Sequence, residues 1–153
     1  MTKELSIENI KKELIDKISN NSEILEYFEN CIRSSGQENY LKEYGTKAIK
    51  DNYIYDYDVS CNGYEDFISV QVDEEECIYY GHNKKEVKTY YSVSIVTSLT
   101  NTNMLDSLSM LLGKIVAELY PDRDNYSNRA FNIESKSFSA YKQPARMICF
   151  TIK

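Results

Sequence analysis

One histidine, four cysteines and a run of carboxylates are the side chains of this chain best suited to chemistry. His82 lies in Gly81-His82-Asn83-Lys84-Lys85, just after Cys77 and the acidic run Asp73-Glu74-Glu75-Glu76. An imidazole beside a thiol or a carboxylate is the pairing that general-base or nucleophilic catalysis uses. The spacing orients no such pair, and a turn of this composition collects polar residues for backbone reasons. The acidic run, with Asp56 and Asp58, has the charge for a divalent cation but lacks the glycine-kinked ligand spacing of a calcium loop. Two of these carboxylates working as acid and base would need a pocket, and the sequence argues for none. Cys31, Cys61, Cys77 and Cys149 contain no C-x-x-C and match no zinc or disulfide spacing. Free thiols suit a reducing cytoplasm, and Cys149, inside Met147-Ile148-Cys149-Phe150, is expected as a small core residue. Phosphate loops, dinucleotide fingerprints, nucleophile elbows and H-E-x-x-H are absent. The expectation is a protein that is not an enzyme, with no catalytic residue, no metal site and no cofactor.

A chain of 153 residues is one domain by size. It can bury enough surface to fold without a metal or a disulfide. Its 14 Tyr, with no Trp, favour half-buried strands and subunit contacts, because Tyr joins an apolar body to a polar tip. The formal net charge of -6 is split: -8 over residues 51–86 and +3 over residues 87–153. The acidic middle argues against binding phosphate there. Arg123, Arg129, Lys136, Lys142 and Arg146, with Tyr126, Phe131 and Tyr141, are too dispersed to prefer a nucleic-acid surface over an ordinary one. The acidic face can instead meet a basic one on a neighbour. Glu74, Glu75 and Glu76 are therefore candidate partner-binding residues, with Tyr90 of the tyrosine-rich strand and Arg123 of the basic third.

These residues need elements to hold them. Ser6 can cap a first helix with Ile7, Ile10, Leu14 and Ile18 on one face. Ser22 can cap a second, with Ile24, Phe28 and Cys31 or Ile32 together, ended by Ser34-Ser35-Gly36. Residues 36–50 are polar and weakly patterned, and are expected as a loop. Residues 53–59 alternate as a half-exposed strand, with Tyr53, Tyr55, Tyr57 and Val59 on one side. Asn62-Gly63 signals a turn. A strand over 67–72 follows, then the acidic run, a short segment at 77–80 and a hairpin tip at 81–85. The strand 87–99 puts Tyr91, Val93, Ile95, Thr97 and Leu99 on one face and Tyr90, Ser92, Ser94, Val96 and Ser98 on the other. The firmest element is a helix over about 103–120, capped by Asn103 and Asp106 and stopped by Pro121. Leu105, Leu108, Leu112, Ile115 and Leu119 form its apolar stripe. Beside them Ser109, Gly113 and Ala117 form a ridge of small residues that seats the helix on its own sheet. Strands near 131–138 and over 145–152 close the chain. Most pairings are expected to be antiparallel, so the class is α+β. The charged, helical N-terminus carries no apolar signal region, and no apolar run approaches the ~20 residues of a span, so no membrane partner is expected.

This order of elements resembles the small tail-terminator, or tail-completion, proteins of long-tailed phages and phage-tail-like bacteriocin particles. The resemblance is carried by the first helix, the strands 67–76 (Phe67-Ile68-Ser69-Val70-Gln71-Val72 and the acidic run) and 87–99, the helix 103–120 and a C-terminal hairpin written as 131–139 and 145–152. It covers roughly residues 53–152 plus the first helix and rests on pattern and order. It implies an α+β domain without catalysis or cofactor that forms a hexameric ring with itself and caps a tail tube. Sheath or neck proteins would be further partners. DNA would be passing cargo at most, in keeping with a channel that is not strongly basic. Assembly would occur in the host cytoplasm and end in a virion or tail-like particle. A second class fits the residues as well: a small cytoplasmic binding protein, an immunity protein or antitoxin, whose acidic middle mimics nucleic acid. A ring predicts oligomers, and an antitoxin predicts a tight 1:1 partner.

Overall fold

A computed structural model describes residues 5–57, 66–134 and 142–153. The class is α+β, with four helices, three strands, a long helix and two strands in chain order. The helices are α1 (Ile7–Ser19), α2 (Ser22–Ser34), α3 (Glu38–Tyr44), α4 (Thr46–Tyr53) and α5 (Thr102–Leu119). The strands are β1 (Ile54–Tyr55), β2 (Phe67–Gly81), β3 (Lys84–Ser98), β4 (Asp124–Glu134) and β5 (Lys142–Ile152). They form one sheet in the order β1-β2-β3-β5-β4. Among the described residues β1 and β2 run parallel, and the other pairings are antiparallel.

The N-terminal helices follow their caps. Ser6 accepts from the Asn9 amide, as expected, and Ile10, Leu14 and Ile18 are buried. At α2 the cap is Asn21 rather than Ser22: its Oδ1 accepts from the amides of Glu23 and Ile24 at 3.1 and 3.2 Å. Ile24, Phe28 and Ile32 are buried, and Cys31 is half-buried beside them. Gly36, at φ +79, ends the helix in the left-handed conformation that glycine adopts without strain.

Residues 36–50 are not a loop. They hold α3 and most of α4, which meet at Gly45 with φ +57. Helices of 7 and 8 residues carry too few apolar positions to show a period. Burial of Leu41, Ala48 and Ile49 stabilises them instead. The alternation expected over 53–59 crosses a helix end. Tyr53 closes α4 and stacks on Phe28 at 4.8 Å, so the strand shrinks to Ile54–Tyr55. Val59 and the Asn62-Gly63 turn lie outside the described residues.

The main core lies between the helices and one face of the sheet. Ile68, Val70 and Val72 of β2, Val93 and Ile95 of β3, and Ile148, Phe150 and Ile152 of β5 meet Leu14 of α1 and Leu108 and Leu112 of α5 there. On the opposite face a smaller cluster joins Phe67, Val96, Ile133 and Ala145. The α5 cap is Asn101, whose side chain accepts from the Asn103 amide. Asp106, expected as a cap, instead receives Arg146 Nε and Nη2 at 2.9 and 2.6 Å and ties α5 to β5. Val116 is more deeply buried than the expected stripe residue Leu119. The small-residue ridge receives β4. Asn128 Nδ2 donates to Ser109 Oγ at 2.9 Å, and a Cβ at Gly113 would stand 2.6 Å from the Tyr126 hydroxyl.

The last hairpin begins earlier than expected. Its first strand opens at Asp124, just beyond the Pro121-Asp122 turn, and runs as an exposed edge with a bulge between Asp124 and Ser127. Polar residues on both faces leave that start without an alternating pattern. Residues 135–138 of the expected strand lie outside the described residues.

Candidate functional site

The acidic run does not separate two strands. It lies inside β2, which is continuous for 15 residues and pairs with β3 from Phe67↔Ser98 to Gly81↔Lys84. Asp and Glu are poor strand formers alone, but their cross-strand partners Ser92, Tyr91, Tyr90 and Thr89 include strong ones. The turn is His82-Asn83, and Asn83 takes a φ of +67, which Asn tolerates better than most residues. His82 is an exposed turn residue.

The hairpin outruns its sheet. Among the described residues, β1 borders β2 only at Ile68 and Ser69, and β5 borders β3 only from Tyr91 to Ser98. Residues 75–90 therefore form a two-stranded arm, about 20 Å long at the rise of an extended strand. An isolated two-stranded hairpin is marginally stable in water. This one nonetheless carries Ile78, Tyr79, Tyr80 and Val87 at 46, 52, 80 and 48 % exposure. Glu74, Glu76, Ile78, Tyr80 and Val87 continue the face that the helices cover further down, while Glu75, Cys77, Tyr79, Lys88 and Tyr90 occupy the other. On that second face Lys88 Nζ lies 5.4 Å from the centre of the Tyr79 ring. A hydrogen bond to Glu75 pushes the Tyr90 phenol up to about 12. The arm root is tied at both ends of the described chain: the Tyr91 hydroxyl donates to the Leu5 carbonyl at 2.9 Å, and Tyr91 pairs with Ile152.

Of the candidate partner-binding residues, Glu74, Glu75, Glu76 and Tyr90 come together at this root, with Glu75 opposite Tyr90. Arg123 stands apart. The rung Asp73–Ser92–Thr151–Asp124 crosses the sheet beside it, three strand spacings or about 14 Å from β2. Its guanidinium lies 4.9 Å from the Tyr126 ring centre, and Nη1 donates to the Tyr120 carbonyl at 3.2 Å, which braces the turn after α5.

A second constellation was missed by sequence reasoning. Asp66 is 8 % exposed, and no ion pair is found for it among the described residues. Its Oδ2 accepts from the Tyr27 hydroxyl at 2.6 Å and faces Cys31 Sγ at 3.6 Å, and its Oδ1 accepts from the Thr100 amide at 2.8 Å. Burial, then the carboxylate, pushes the Tyr27 phenol far up and the Cys31 thiol up to about 11. Cys31 is thus held as a thiol, a poor nucleophile. The cluster opens on a cleft of about 1120 Å³ that Tyr40, Tyr53 and Tyr55 also line. With every donor aimed at one carboxylate, the arrangement works as a staple between α2, the start of β2 and the β3–α5 turn. The only sequence signal was Tyr27 and Cys31 at i and i+4 on one helix face.

Cys149 is half-buried on the face away from the helices, 3.8 Å from Ser94 Oγ, rather than in the core, because its strand alternates with Ile148 and Phe150 inward. Asp58 and Cys61 lie outside the described residues, and Asp56 is exposed. Among the described residues no three His, Cys, Asp or Glu side chains are grouped to hold a metal ion, and no helix is long and apolar enough to cross a membrane.

No family model matches this chain, and no curated protein or solved structure matches it. The functional reading therefore rests on the arm and on the order of elements.

Proposed function

We propose that this chain is a non-catalytic structural subunit that assembles with copies of itself into a ring, of the kind that completes a phage-like tail tube. The observation that carries the reading is the arm. It presents Ile78, Tyr79, Tyr80 and Val87 to solvent on a two-stranded ribbon that has little stability of its own. Large apolar and aromatic groups on such a projection are what a subunit contact buries. The element order supports the same reading through its resemblance to tail-terminator proteins. The acidic root, exposed on both faces, also suits an immunity protein or antitoxin whose partner is basic.

Mass separates the two. Native mass spectrometry and light scattering across a concentration series are expected to show a closed oligomer, six chains if the resemblance holds in detail. A chain that stays monomeric up to millimolar concentration would refute the ring.

A further inference from the structure

The sheet has two free edges, and they fit each other. Among the described residues, β2 has no strand partner on its outer side beyond Ser69, and β4 has none on its outer side. From Tyr126 to Ile133, β4 carries no Pro, no Lys and a single charge, the exposed Arg129, which makes no ion pair among the described residues. Natural sheets usually protect an edge with Lys, Pro or inward charges. This edge has almost no such protection, apart from the bulge at its start. The β2 edge is the reverse case, because Asp73, Glu74, Glu75 and Glu76 load it with one sign. Pairing two β2 edges about that run sets carboxylate against carboxylate, which is destabilising.

Direction fits as well. Three successive antiparallel steps, β2·β3, β3·β5 and β5·β4, leave β4 antiparallel to β2 within one chain. A copy rotated about an axis along the strands therefore brings its β4 antiparallel against β2. The alternation continues across the boundary, with the helices of both copies on one side. Parity then limits the register to steps of two residues. Glu75 and Arg129 both lie on the face away from the helices, since Arg129 pairs with Met147, and Met147 with Val96 of the smaller cluster.

We propose, resting on the ring reading, that neighbouring copies join by β-augmentation: residues 71–78 of one chain pair with residues 126–133 of the next, with Glu75 opposite Arg129. On the helix side this register sets exposed Ile78 opposite Tyr126, which is itself 43 % exposed. On the other side it sets Cys77 opposite Ser127. The contact is heterologous, joining two different edges, so it propagates from copy to copy and closes into a ring when the rotation allows. Main-chain hydrogen bonds supply the affinity, and the charge pair and parity set the register.

Cys77 makes the register testable. Directly opposed residues of an antiparallel pair have Cα atoms about 4.5–5.5 Å apart, within disulfide range. Ser127→Cys is made in a Cys149→Ser background, because Cys149 is the partner of Ser127 within the chain and would capture the new thiol. Mild oxidation is expected to give a non-reducing ladder of linked chains ending at the mass of the ring, and adding Cys77→Ser should abolish it. Arg129→Glu and Glu75→Arg should each raise the concentration needed for half-assembly several-fold, and the two together should restore it. Assembly by mass with no ladder and no charge-swap rescue would overturn the edge pairing and leave the ring standing. A parent protein that never assembles would overturn both.

Discussion

Replacing Asp66 with Ala tests whether the buried carboxylate is a staple. The change leaves the Thr100 amide and the Tyr27 hydroxyl without the acceptor they share at 2.8 and 2.6 Å. Hydrogen bonds to a charged group contribute about 1.5–3 kcal/mol each. Two such losses sum to roughly 3–6 kcal/mol before the relief of desolvating a carboxylate is subtracted. Tyr27 is half-buried, so water replaces part of its bond and pulls the figure toward the low end. The expected cost is about 3 kcal/mol, a large share of the 5–15 kcal/mol that holds a domain together. Tyr27→Phe, which removes one bond and spares the amide, should cost about 1 kcal/mol. Urea unfolding followed by circular dichroism measures both, and the midpoint should move with little change in slope. An Asp66→Ala midpoint within about 0.5 kcal/mol of the parent would show that the carboxylate supports nothing.

Other changes reach different parts of the molecule. Ile115→Asp puts a carboxylate among the core residues of α5 and should cost several kcal/mol, so that soluble expression or the cooperative thermal transition is lost; a cooperatively folding variant would contradict the packing of this helix. Joint replacement of Glu74, Glu75 and Glu76 by Lys should leave the circular dichroism spectrum intact and weaken assembly measured by light scattering at low salt; undiminished assembly would remove the acidic run from the interface. Stability should also fall on the alkaline side. Tyr27, Tyr120 and Cys31 all have raised values in the folded state, so the unfolded chain sheds their protons first. Their contribution is complete below about pH 9 and for Cys31 is lost as the pH rises toward about 11. Cys31→Ala should make the urea midpoint less dependent on pH across that window.

What was legible in the sequence was whatever repeats along one element. The α5 stripe is long enough to show its period, and the α1 face and cap were equally plain. The short helices α3 and α4 were hidden because packing against the rest of the core, rather than their own pattern, holds them. The continuity of β2 was hidden because its acidic stretch takes strand geometry from the partner strand, a property of two segments rather than one. The acidic root was visible as charge, but the arm that carries it depends on where β1 and β5 stop, which no local pattern records. The Asp66 cluster joins residues 39 and 35 positions apart and left only a faint trace on α2.

Because β2 passes from the helix-covered part of the sheet into a free ribbon without a break, one strand contains two regimes of local opening. Those amide protons of residues 68–72 that bond to β3 lie in a ladder backed by β5 and a buried core, so their exchange with deuterated solvent should require near-global unfolding. Those of residues 76–81 belong to a ladder with a single partner and no third layer, and should exchange through local fraying orders of magnitude faster. The boundary should fall within two or three residues of the Glu74–Tyr91 rung, where β5 ends.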